Sequence, residues 1–251
     1  MTSRSMMTRG ALAGVAFLAG ELAYAARRPL PTFTGIDPSG CFGDSSAPPL
    51  RLTVLGDSTI TGPGLDDVDD TFIRIIAHSL SSRYRVELNS FAVGGARSID
   101  LLRNQVPSAI ELDSDITMIS VGGNDVMRAV PVRVFERNLE AIVAVMKTVS
   151  KEVVLMGIGD MGTVPRCPPP LDRVATMTGR IANRVHQRVA QRQGVHAVDH
   201  WGWSAEAFRD PLMFSPDLFH PSPAGHQVWA ATVLPEVEAA IARLEAFPAG
   251  A

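Results

Sequence analysis

The stretch LRLTVLGDSTITGPG (residues 50–64) decides how the chain is read. Leu50, Leu52, Val54 and Leu55 make a short apolar run that stops at Gly56, the pattern of a buried strand. Asp57 and Ser58 follow, then a glycine-rich turn. Ser58 allows two readings. A serine after a strand most often caps the next helix. Alternatively, a sharp turn at glycine leaves its hydroxyl exposed at a helix start, where backbone N–H groups favour a developing oxyanion. The tripeptide alone does not choose between them.

Downstream, the same alternation recurs. Helical periodicity places apolar residues on one face over 70–82 (Phe72, Ile73, Ile76, Leu80), 98–110 (Ile99, Leu102, Val106), 132–149 and 171–193. Strands read at 84–93, 116–121, 153–158 and 195–198, and Ser222-Pro223 signals the start of a last helix. Strands without polar alternation, separated by helices of this length, indicate a parallel sheet covered on both faces. The expected fold is α/β: a three-layer α/β/α sandwich of the doubly wound, flavodoxin-like type over residues 50–246. In such sheets ligands bind outside the carboxyl ends of the strands. The glycine-punctuated clusters Gly56-Asp57-Ser58, Gly94-Gly95, Gly122-Gly123-Asn124-Asp125 and 157–160 all fall at such ends.

Composition bounds the alternatives. The 251 residues are 46% hydrophobic and 20% charged, which suits one globular domain. A net charge of −3 gives no sign of a nucleic-acid partner. Residues 1–27 carry Arg4 and Arg9, an apolar stretch from Ala11 to Ala19, and Ala23-Tyr24-Ala25. That order is an export signal or a short N-terminal membrane anchor, although a cytosolic amphipathic helix has the same ingredients. The expected location is therefore secreted or attached to the cell envelope. Residues 28–49, rich in Pro, Gly and Ser, read as a tether or surface-hugging linker. Cys41 and Cys167 are either one disulfide or two unrelated buried thiols.

A nucleophilic serine needs a base. His78 and His186 lie within helical patterns, while His196 and His200 flank a short strand. His220 stands three residues after Asp217 in SPDLFHPSPAGH, a spacing that lets a carboxylate hold the imidazole in one tautomer. The pair can equally cap a helix. With His226 it also suggests a metal site, but no further ligand cluster supports one. Gly95 can present a bare N–H and Asn124 a side-chain amide, or both can be turn residues.

Taken together, Gly56-Asp57-Ser58-Thr59, the glycine after the second strand, Gly122-Gly123-Asn124-Asp125 and Asp217-Leu218-Phe219-His220 resemble the four blocks of the SGNH (GDSL) hydrolase family. The resemblance implies a serine esterase with Ser58 as nucleophile, His220 as base and Asp217 orienting it. It also implies an oxyanion hole from the Ser58 backbone, Gly95 and Asn124, with no metal and no cofactor. Ala96-Arg97-Ser98 departs from the family's second block, and the choice of Gly95 over Gly94 rests on register. The α/β-hydrolase elbow is absent, since no glycine follows at position 60. The expected partner is a small-molecule ester of short to medium acyl length, or a lipid or acylated sugar, acted on by a monomer. Membrane association, where it occurs, is expected through the N-terminus. Acyl transfer or deacetylation on a sugar or lipid alcohol uses the same residues. Readings from other classes are a non-catalytic flavodoxin-like binding module and an inactive envelope protein. The first leaves the Asp217–His220 pair without a role, and the second sits poorly with the presence of every polar residue the hydrolase pattern expects. Trp201, Trp203, Phe208, Met213 and Phe214 are either an acyl pocket or local packing.

Overall fold

The computed structural model describes residues 30–246, together with Gly14, Phe17, Gly20 and Glu21. Apart from those four positions, the signal or anchor expected over residues 1–27 lies outside the described residues. Among the described residues, no helix is long and apolar enough to cross a membrane.

Six strands form one sheet: β1 (Gly40–Phe42), β2 (Pro49–Gly56), β3 (Arg85–Ser90), β4 (Ser114–Ser120), β5 (Ser150–Met156) and β6 (His196–Val198). Their order is β1-β3-β2-β4-β5-β6. The five strands from β2 to β6 are parallel, in the order of a flavodoxin-like sheet. The expectation of an all-parallel sheet needs one correction. β1 pairs antiparallel with β3, so the sheet is mixed and begins at Gly40 rather than at Leu50. The tract before β2 is stitched down by specific bonds. Ile36 N–H donates to the Thr61 carbonyl, and Ser39 Oγ accepts from Ser90 N–H. Arg74 reaches the carbonyls of Pro38 and Ser39 and lies over the Phe42 ring.

Alternating side chains build two cores. Leu52 and Val54 of β2, Ile116 and Met118 of β4, and Val154 and Met156 of β5 face one side. There they meet α2 (Phe72–Leu80) and the last helix, α8 (Pro223–Ala246). Leu55, Ile119, Val153 and Leu155 face the other side. They meet the helical segment 98–109 (α3), α5 (Val132–Met146) and α6 (Leu171–Gln193). Two short helices complete the edge that carries the polar clusters: α1 (Ser58–Thr61) and α4 (Gly123–Met127). The five-residue helix α7 (Trp203–Ala207) lies farther along the chain.

Both cysteines are free thiols, Cys41 exposed on the edge strand and Cys167 half-buried. The disulfide reading is not met, and neither is the reading of two buried thiols.

Leu139 is fully buried in the apolar cluster beneath α5. Leu139→Ala is expected to cost about 2–5 kcal/mol. Urea unfolding checks this as a lowered midpoint at unchanged slope.

Candidate active site

The end of β2 is fixed from two directions. A Cβ at Gly56 would lie 2.8 Å from the Ser120 carbonyl oxygen, so only glycine fits between β2 and β4. The central turn of α3 is π-helical (Leu101–Gln105), and it delivers the buried Gln105 to the same point. Gln105 Oε1 accepts from Gly56 N–H at 2.9 Å, and its Nε2 donates to the Gly56 carbonyl at 2.8 Å. This clamp sits two residues before Ser58.

The cap of α1 is Asp57, not Ser58. Asp57 Oδ1 accepts from Thr59 N–H at 3.0 Å, and Oδ2 accepts from Asn124 Nδ2 at 3.1 Å. Burial raises the Asp57 carboxyl above its ordinary range, against the bonds from Thr59 and Asn124. Ser58 is the first helical residue, and among the described residues its hydroxyl has no hydrogen-bond partner. Of the two readings of Ser58, the local cap is thus taken by its neighbour.

His220 Nδ1 lies 2.6 Å from Asp217 Oδ2, while Asp217 Oδ1 accepts the N–H groups of Phe219 and His220 at 2.9 and 3.0 Å. Burial alone would raise the Asp217 carboxyl, but the imidazole and the two backbone donors outweigh it and hold it below the ordinary value. The same carboxylate therefore shapes the loop and orients the ring. Leu218 adopts a positive φ of 59° within this turn.

The loop bearing Asn124 is tied on both sides. His186, buried on α6, places Nε2 2.8 Å from the Val121 carbonyl, and Gly122 (φ 130°) has no room for a Cβ beside Phe135 and His186. Asp125 accepts from both N–H and Oγ of Ser98, joining the Asn124 loop to the start of α3. Three residues before Ser98, Gly95 turns with φ 78° and open space where a Cβ would be. Among the described residues, the N–H groups of Ser58 and Gly95 have no acceptor.

Ser58, Asn124 and His220 stand where two cavities meet. The smaller, ≈ 100 Å³, is walled by Phe72, Met156, Phe208, Phe214 and Trp229, with His200 among them. The larger, ≈ 1050 Å³, runs over Gly95, α4, the start of α5 and α6, with Phe33 to Gly35 as a further wall. The aromatic cluster expected from sequence is divided. Phe208 and Phe214 line the small cavity, Trp201 donates Nε1 to the Ile158 carbonyl, and Trp203 is exposed. His226 is not turned toward a metal: its Nδ1 accepts from Phe72 N–H, capping α2. Among the described residues, no group of three His, Cys, Asp or Glu is arranged to hold an ion. Gln105 and His186 were not singled out from sequence for the site, because a buried amide and a mid-helix histidine carry no motif.

Residues 54–228 match the GDSL-like lipase/acylhydrolase family. The chain belongs to that family. Its members are hydrolases, and the solved structures it resembles include enzymes. An α/β hydrolase enzyme from the metagenome of Lake Arreo, Spain, is 23% identical with a TM-score of 0.65, covering 76% of this chain and 96% of its own. TesA is 21% identical with a TM-score of 0.65, over 76% and 99%. Axe2, an acetylxylan esterase from Geobacillus stearothermophilus, is 20% identical with a TM-score of 0.60, over 78% and 95%. These likenesses concern the fold. No curated protein matches the sequence.

His200 gives this GDSL-like protein a testable acid sensitivity. Burial pushes its imidazole from the ordinary 6.5 down to about 4, and its Nδ1 is buried without a partner. The unfolded chain takes up this proton as pH falls below 6.5, whereas the folded chain resists until about 4. Stability present above pH 6.5 is therefore lost as pH falls through that window. His200→Phe is expected to flatten the loss by on the order of 2–3 kcal/mol at pH 4. Chemical unfolding at pH 7, 5.5 and 4 checks it.

Proposed function

We propose that the protein is a serine esterase that hydrolyses carboxylic esters of short to medium acyl length through an acyl-enzyme on Ser58. One observation carries this reading. The Asp217–His220 pair, at 2.6 Å, opens into the same cavities as a serine hydroxyl that its own helix does not use.

In this reading His220 Nε2 takes the Ser58 proton as Ser58 Oγ attacks the ester carbonyl. The new C–O bond forms as the carbonyl π pair moves onto oxygen. That oxyanion is met by the N–H groups of Ser58 and Gly95 and by the Asn124 amide hydrogen that Asp57 leaves free. Asp217 stays ionised and stabilises the imidazolium. His220 then protonates the leaving alkoxide as the C–O bond to it breaks. Water repeats the sequence on the acyl-enzyme, releasing the acid and restoring the Ser58 hydroxyl.

Asp57 supports the reading in a second way. An anion held against Asn124 Nδ2 fixes the amide with its nitrogen, not its oxygen, toward the site.

Fluorophosphonate labelling and turnover of p-nitrophenyl butyrate test the proposal together. Ser58→Ala is expected to lose both, and undiminished turnover in that variant would overturn the assignment. Asn124→Ala is expected to lower kcat by on the order of 10²–10³ with KM little changed, since it removes a donor used in the transition state.

A further inference from the structure

We infer that the face around the larger cavity docks on an anionic lipid surface, from which the site draws an apolar chain into that cavity. The lipid substrate class rests on the esterase reading; the docking does not.

The first observation is a group of exposed apolar side chains gathered at the cavity's rim. Met127 is 57% exposed, Val132 43% and Met177 58%, and Val174 and Ile181 are exposed beside them. Four of these five side chains also line the cavity itself, so the rim and the interior are continuous. Each α5 and α6 side chain here lies in the N-terminal half of its helix. The two helices run side by side in the same direction, tied by Glu136–Arg188 and Glu140–Arg192 ion pairs. Their N-terminal halves therefore share the sheet edge that carries Ser58.

The second observation is charge. Arg128, Arg133, Arg137, Arg173, Arg180 and Arg184 are all exposed on these same segments. Among the described residues none of the six is in an ion pair, whereas Arg188 and Arg192, farther along α6, both are. Arg180 lies over the Trp201 ring at 4.9 Å. Arg173, Met177, Arg180 and Arg184 follow at helical spacing on one face of α6, next to the cavity-lining stripe of Leu171, Val174, Thr178 and Ile181. Nearby carboxylates do not neutralise the face. Glu136 and Glu140 are held by Arg188 and Arg192, Asp125 is buried on Ser98, and Asp100 is paired with Arg97. Asp172, half-buried, remains, with Asp160 bonded to Thr176 and the exposed Asp199 bonded to Asn183, so the six arginines still outnumber the carboxylates that face α6.

The chain as a whole is acidic, at −3. Six guanidinium groups outside any ion pair, on the segments that bound an apolar opening, are complementary to a bilayer that combines anionic headgroups with hydrocarbon. A water-soluble ester needs neither feature. A lipid acyl chain needs both, because it must leave one apolar phase for another without crossing water.

The test uses the full chain and phosphatidylcholine vesicles with and without phosphatidylglycerol, separated by flotation. Wild type is expected to partition to the anionic vesicles in preference to neutral ones. The double variant Arg173→Gln/Arg184→Gln is expected to weaken that partitioning ~25-fold, about fivefold for each cation lost near an anionic surface. Met177→Asp is expected to weaken it as well. Both variants should turn over soluble p-nitrophenyl butyrate as wild type does, which also reports that they fold. Ser58→Ala should bind vesicles like wild type. Binding that ignores phosphatidylglycerol, or that survives these substitutions because residues 1–27 carry it, overturns the docking face. Soluble turnover that survives Ser58→Ala overturns the esterase reading and leaves the docking result standing.

Discussion

The buried carboxylate of Asp57 is the constraint on which the site depends. It caps α1 through Thr59 and so frees Ser58 from the role a serine usually takes there. It also reaches across from β2 to β4 and holds the Asn124 amide. One anion thereby sets the spacing between two strand ends. Removing that charge from water is costly, as its raised proton affinity shows. The cost is tolerated because two donors converge on it and the two strands are already locked in register from Leu52↔Ile116 to Gly56↔Ser120.

Around this link the remaining ties form a closed circuit. Gln105 mimics a neighbouring strand for Gly56, Asp125 joins the Asn124 loop to α3, and His186 holds the start of that loop from α6. Both α3 and α6 therefore contribute to placing groups they do not themselves carry. The Asp217 turn comes from the far end of the chain and needs no such support, since its carboxylate organises its own backbone. The site is rigid on the sheet side and self-contained on the histidine side.

Much of this was legible in the sequence. The periodicity of 171–193 gives α6 to the residue, because apolar and polar positions alternate cleanly over six turns. The short strands at 116–121 and 153–158 are displaced by about two residues, as expected where a strand ends in glycine and its first residues are polar. β1 is invisible in sequence: three residues in a tract of Pro, Gly and Ser carry no period, and only pairing with β3 makes them a strand. At the site, the positions of Ser58, Asn124, Asp217 and His220 follow from strand ends and spacing. Which of Asp57 and Ser58 caps the helix does not, since both side chains suit the task and only the amide across the sheet decides. The π-helical turn that aims Gln105 is equally silent, because one extra residue in a turn leaves no compositional trace.

The lengths of the outermost strands have a consequence for life in concentrated solution. β1 and β6 span three residues each, while the long apolar strands β2, β4 and β5 lie inside the sheet. A sheet border this short offers few free N–H and C=O groups for a second chain to pair with. The sequences best able to seed fibrils are thus kept off the perimeter, and the molecule is guarded against stacking edge to edge without charged or proline guards along a long border strand.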